Sequence, residues 1–85
     1  MEQISSKVVG EVIRKFRLEK HFSQEVLSGL AGIGRTHLCA IERGERKPTL
    51  ETFFKIADAL DVSAAELISE IERIRIDEDE FVRVR

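Results

Sequence analysis

The sequence predicts an all-α domain of five short, compactly packed helices. Three observations carry that expectation. Apolar residues recur at spacings of three and four through most of the chain, which is the period of one helix face. Ser or Thr stands ahead of most of these stretches and Gly follows two of them, as helix starts and stops require. The five aromatics are all Phe, with no Trp or Tyr and a single Pro, a composition that suits an aliphatic core.

Taken in order, Ser5 or Ser6 caps a first helix in which Val9, Ile13 and Phe16 share a face, and it ends near Lys20 or His21. Ser23 starts a second, with Leu27 and Leu30 apolar, and Gly32 stops it by entering positive φ without a Cβ clash. Gly34 precedes a third helix, Arg35 to about Arg43, with Leu38 and Ile41 turned inward and Gly44 closing it. After the loop GERKP, Thr49 caps a fourth whose Leu50, Phe53, Ile56, Ala57 and Leu60 share one face, while Phe54 must point partly elsewhere. Ser63 and Glu66 form an S-x-x-E capping box at the start of a fifth, with Leu67, Ile71 and Ile74 at helical spacing. Residues 1–72 read as one domain and residues 73–85 as an extension. In that extension Ile74 and Ile76 alternate with Arg73 and Arg75, and Val82 and Val84 alternate with Arg beyond the acidic run DEDE. The pattern leaves two forms open, a strand-like β-arm or a frayed helix end with a flexible tail.

Hydrophobic residues at 42% and charged residues at 35% exclude an intrinsically disordered chain. The net charge of −2 is unevenly spread: residues 1–60 carry ten Lys and Arg against eight Asp and Glu, residues 61–85 four against eight. A weakly basic body remains compatible with a local phosphate-binding face. Cys39 is the one cysteine, so neither a disulfide within the chain nor a zinc ligand set is expected, and a reducing compartment fits best. No apolar run is long enough for a membrane span, and the first residues lack the basic and apolar regions of a signal peptide. A cytoplasmic location follows as an expectation. Two His, one Cys and no carboxylate cluster outside DEDE supply no nucleophile–base pair and no metal site. No enzyme activity, cofactor or small-molecule ligand is therefore expected.

The informative segment is SQEVLSGLAGIGRTHLCAIERG, Ser23 to Gly44: a helix, a tight turn and a second helix. Ser28 is small enough for a close helix crossing, and Ile33 plugs the turn. The outer face of the third helix carries Arg35, Thr36, Cys39, Ala40 and Arg43, polar and short-chained in places, open to a partner such as the major groove. From Val9 to Leu67 the chain resembles the Cro and phage-repressor type of helix-turn-helix regulator, the Xre-like family, whose small members include restriction–modification controllers. The residues that carry the resemblance are Val9-Gly10, Ile13-Arg14, Arg17, Ser23-Gln24-Glu25, Leu27, Ala31-Gly32-Ile33, Leu38, Ile41-Glu42-Arg43-Gly44, Pro48-Thr49-Leu50, the run IADALDVS and Glu66-Leu67. Departures are Gly34 in place of a Ser or Thr cap, His21 in place of Gly, Ser28 in place of Ala, and apolar Val26 and Leu30 where charge is usual.

The resemblance implies a DNA-binding domain whose third helix enters the major groove. Arg35, Thr36 and Ala40 would then face base edges, with His37 a further candidate. Gln24, Ser23, Arg43, Arg46, Lys47 and Thr49 would meet the backbone of double-stranded DNA, and Arg17 and Glu42 would form a structural ion pair between the first and third helices. One such helix reads only a few base pairs, so a homodimer on a palindromic operator is expected. Its interface is placed on the apolar surplus of the fifth helix and extension: Ile68, Ile71, Ile74, Ile76, Phe81, Val82 and Val84. The function expected is a sequence-specific transcriptional regulator. The second reading is an antitoxin-type module whose C-terminal segment wraps a partner toxin.

Overall fold

The computed structural model describes the backbone of residues 4–84 and the side chains of residues 4–76. It contains α1 (Ser6–Glu19), α2 (Gln24–Ala31), α3 (Arg35–Glu42), α4 (Leu50–Ala59) and α5 (Ala64–Val84), with no strand among the described residues. Four of the five starts are built by a hydroxyl. Ser5, Ser23 and Thr49 each accept a hydrogen bond from the backbone N–H three residues on, at 3.3, 3.0 and 3.1 Å. Ser63 does the same for Glu66 at 3.1 Å, and the Glu66 carboxylate accepts the Ser63 N–H in return at 3.2 Å, completing a capping box. α3 is the exception: its cap is Gly34, which offers no side-chain acceptor.

The first four helices end by one device. A residue in the left-handed region turns the chain, and the next N–H donates to the carbonyl five residues back. The turning residues are Gly32 and Gly44, as glycine's freedom requires, but also His21 at φ +59° and Asp61 at φ +58°. Phe22 then donates to the carbonyl of Arg17, Ile33 to Ser28, Glu45 to Ala40 and Val62 to Ala57. Phe22, Ile33 and Val62, each one residue past such a turn, fold back against the core. The turn therefore sets both where a helix stops and where the next begins.

α1 packs on α3 and α5, and α2 on α3 and α4, while α4 closes against α5. Val12, Ile13, Leu27, Leu38, Ile41, Ile56, Leu60 and Leu67 are completely buried between them. Each contributes roughly 1.5–3 kcal/mol by leaving water. Leu50, the first residue of α4, departs from the face assigned to that helix: it is 69% exposed. Phe54 is half-exposed while its neighbour Phe53 is buried.

Over residues 73–84 the β-arm alternative is replaced by helix, since α5 runs unbroken to Val84. The alternation of Ile and Arg at 73–76 also satisfies a helical spacing, in which Ile74 follows Ile71 by three. Arg73 donates to the Glu70 carboxylate one turn earlier, at 2.8 and 3.0 Å, a bond that only helical backbone brings into reach. Two residues expected at a dimer interface already have contacts within the protomer. Ile71 is buried in the protomer's own core and Ile74 is packed against it, so both serve the fold. Ile68 and Ile76, off that stripe, are each about half exposed. Phe81, Val82 and Val84 lie outside the residues whose side chains are described.

Candidate nucleic-acid interface

The inner face of α3 is fixed by Leu38 and Ile41, neither of which retains any exposure. Its opposite face is therefore committed to the surface by geometry. Arg35 and Thr36, in the first turn, are exposed, and His37, Cys39 and Ala40 are at least partly so. Gly34 carries no side chain that would crowd this end.

The last residue of α3 is held by a buried network. Arg17 of α1 donates through Nε to Glu42 Oε2 at 2.7 Å and through Nη2 to Oε1 at 3.0 Å, a two-pronged pair. Its remaining prong, Nη1, donates to the Phe22 carbonyl at 2.7 Å. Gln24, the first residue of α2, donates from Nε2 to the same Glu42 Oε1 at 3.0 Å. Two elements, α1 and α2, thus converge on one carboxylate of a third. The resemblance implies a DNA-backbone contact for Gln24. The bond to Glu42 uses the amide nitrogen for bracing.

The basic residues differ in what they already hold. Arg43 forms an exposed pair with Glu45 at 3.3 Å, worth little in water. Arg35, Arg46 and Lys47 have no ion-pair partner among the described residues. Ser23 and Thr49 spend their hydroxyls on caps, but the first N–H groups of α2 and α4 have no intrahelical acceptor and suit an anion. Lys47 also stands at the rim of an apolar groove of about 580 Å³, lined by Ile4, Val9, Pro48, Leu50, Phe53, Ile68 and Ile71. The structure thereby brings Lys47 and Ile68 to one surface, which no spacing in the sequence foretold.

A second ionic cluster escaped the sequence reading. Lys15 of α1 donates to Glu70 of α5 at 2.7 Å, and Arg73 shares that carboxylate. The Arg73 guanidinium first, then the Lys15 ammonium, lower the Glu70 pKa to about 2. The partners are 55 residues apart, so only the packing of α1 on α5 reveals them. Among the described residues no group of His, Cys, Asp and Glu could hold a metal ion, and no helix is long and apolar enough to cross a membrane.

Known proteins resemble this chain in sequence and in fold. The family described as helix-turn-helix matches residues 13–67. The HTH-type transcriptional regulator y4dJ of Sinorhizobium fredii, itself uncharacterised, is 38% identical over 63 residues, covering 74% of this chain and 82% of that protein. The control protein C.SmaI of Serratia marcescens is 35% identical, covering 74% and 75%. Among solved structures, the restriction-modification controller protein C.AhdI of Aeromonas hydrophila superimposes with a TM-score of 0.71 at 37% identity, covering 73% of this chain and 94% of that one. These relatives are regulators and control proteins, not enzymes.

Proposed function

We propose, from the premise that this chain belongs to the helix-turn-helix family of DNA-binding transcriptional regulators, that it acts as a homodimer on a palindromic operator. The observation that carries the reading is α3. Its inner face is sealed, its end is anchored through Glu42, and its exposed first turn offers an Arg35 guanidinium with no acidic partner among the described residues. A guanidinium can donate two bonds to one guanine, and Thr36 offers both a hydroxyl and a methyl to a base edge. His37 and Ala40 complete the reading face. Arg46, Lys47, Arg43, Gln24, Ser23 and Thr49 supply sequence-independent grip on phosphates, which sets register and orientation without selecting bases.

The dimer rests on the exposed apolar residues of α5, Ile68 and Ile76, beside the groove that Leu50 borders. Such side chains gain roughly 1.5–3 kcal/mol each on burial, so a few of them offset a modest cost of association. Two copies related by a two-fold axis would present their α3 helices to half-sites about 34 Å apart, or a multiple of that. Footprinting of the purified protein on the DNA upstream of its own coding region tests the reading. Two protected half-sites at that spacing are expected. Uniform, sequence-independent coating would refute it.

A further inference from the structure

Gly10 sits in the middle of α1, where only proline would be a poorer helix former. Its surroundings account for it. A Cβ at this position would overlap the carbonyl oxygen of Ile41 and stand 2.6 Å from that of Glu42, closer than real Cβ contacts come. Both obstacles are backbone atoms of the last turn of α3, so no side chain can rotate away to make room. One turn earlier on α1, Lys7 makes a similar approach: a Cβ at Gly44, just past α3, would lie 2.8 Å from its Cγ and 2.9 Å from its Cα. Two turns beyond Gly10, Arg17 grips Glu42. Residues 7, 10 and 17 lie along one face of α1, and that face bears on the end of α3 with bare backbone at two points and a forked ion pair at the third.

We propose that Gly10 is a positioning residue for DNA sequence readout, setting how far α3 stands from α1 and hence where Arg35 and Thr36 reach. The inference rests on the reading of α3 as the helix that enters the groove. α3 has eight residues, about 12 Å of helix, and behaves as one rigid lever at that length. Displacing its anchored end by several tenths of an ångström displaces its reading end by a similar amount. Hydrogen bonds to base edges tolerate a donor–acceptor range of only about half an ångström. Phosphate contacts from long, flexible Arg and Lys side chains adjust to such a shift. Loss of the glycine therefore separates recognition of sequence from attraction to DNA.

The test uses the full chain and measures the ratio of affinities for two duplexes, one enriched by the wild-type protein from a random pool and one scrambled. Gly10→Ala should lower that ratio about tenfold or more, the equivalent of at least one lost base contact. Scrambled-duplex affinity and its salt slope should stay at wild-type values. Gly29→Ala is the control, a helical glycine where an added methyl would meet nothing within 4 Å, and its ratio should equal that of the wild type. A folded Gly10→Ala protein with an undiminished ratio overturns the proposal. If Gly10→Ala does not fold, Arg17→Lys decides: it keeps the charge but surrenders the fork, and an unchanged ratio there overturns the proposal equally. A wild-type protein that enriches no sequence would instead defeat the regulator reading itself, and this inference with it.

Discussion

Arg17 and Glu42 show how much one ion pair can hold when it is dry. Every nitrogen of the guanidinium has an acceptor, and one carboxylate oxygen serves both Arg17 and Gln24. Glu42→Ala strands a buried cation and unties Gln24, at a cost of about 3–5 kcal/mol. In a domain this small that is a large share of total stability. Urea or thermal unfolding measures it, and an unchanged midpoint would contradict the buried geometry. On the DNA side, Arg35→Ala should cost about 1–3 kcal/mol on the operator and relax preference at one base pair. Lys47→Ala should weaken all sequences alike and reduce the salt slope by about one unit, as filter binding across salt concentrations would reveal. The ion pair was legible in the sequence because both partners fall within the matched pattern. The crossing at Gly10 was not, because its meaning lies in two carbonyls, those of Ile41 and Glu42, far along the chain.

At the scale of the element, helix starts were more legible than helix ends. A Ser or Thr hydroxyl acts on its own neighbours, so Ser5, Ser23, Thr49 and Ser63 announce themselves locally. An ending can be imposed by packing, and His21 and Asp61 take positive φ because Phe22 and Val62 must return to the core. Such strain is removable: His21→Gly should stabilise the fold by about 1 kcal/mol, since a Cβ in that region costs about that much. Gly34→Ser should add a few tenths of a kcal/mol by giving α3 the cap it lacks. Thermal unfolding checks both. The sequence left the extension open between strand and helix end because Ile-Arg alternation fits either period, and Arg73 bonding to Glu70 favours the helix. The tie from α1 to α5 carries its own pH signature. Glu70 is held ionised down to about pH 2 in the folded chain, against an ordinary value of 4.5. Its contribution is therefore fully present above pH 4.5 and lost as pH falls from there toward 2. The melting temperature of Glu70→Gln should accordingly converge on that of the wild type over that acid range, and parallel curves would refute the tie.

At the scale of the whole molecule, the described structure is elongated, 42 Å by 22 Å by 21 Å. α5 alone accounts for about 31 Å of helix at 1.5 Å per residue. Ile68→Glu should place a charge in the proposed interface without touching the core, giving a folded monomer by analytical ultracentrifugation that no longer binds a two-half-site operator. A variant that stayed dimeric at micromolar concentration would move the interface elsewhere. Lys47 stands at the rim of the apolar groove that Val9, Phe53 and Ile68 line. A second protomer docked beside that groove, as proposed, would lie against the segment proposed to hold the phosphate backbone, so dimer closure and DNA grip would be coupled. Whatever factor the second copy adds to DNA affinity, DNA must return to the affinity of the two copies for each other. For the proposed dimer, operator occupancy would then rise faster than in proportion to protein concentration. On the proposed dimer, a cell holding only a little of the protein would leave the operator nearly bare and a small further accumulation would fill it, so pairing of the two copies would set a threshold.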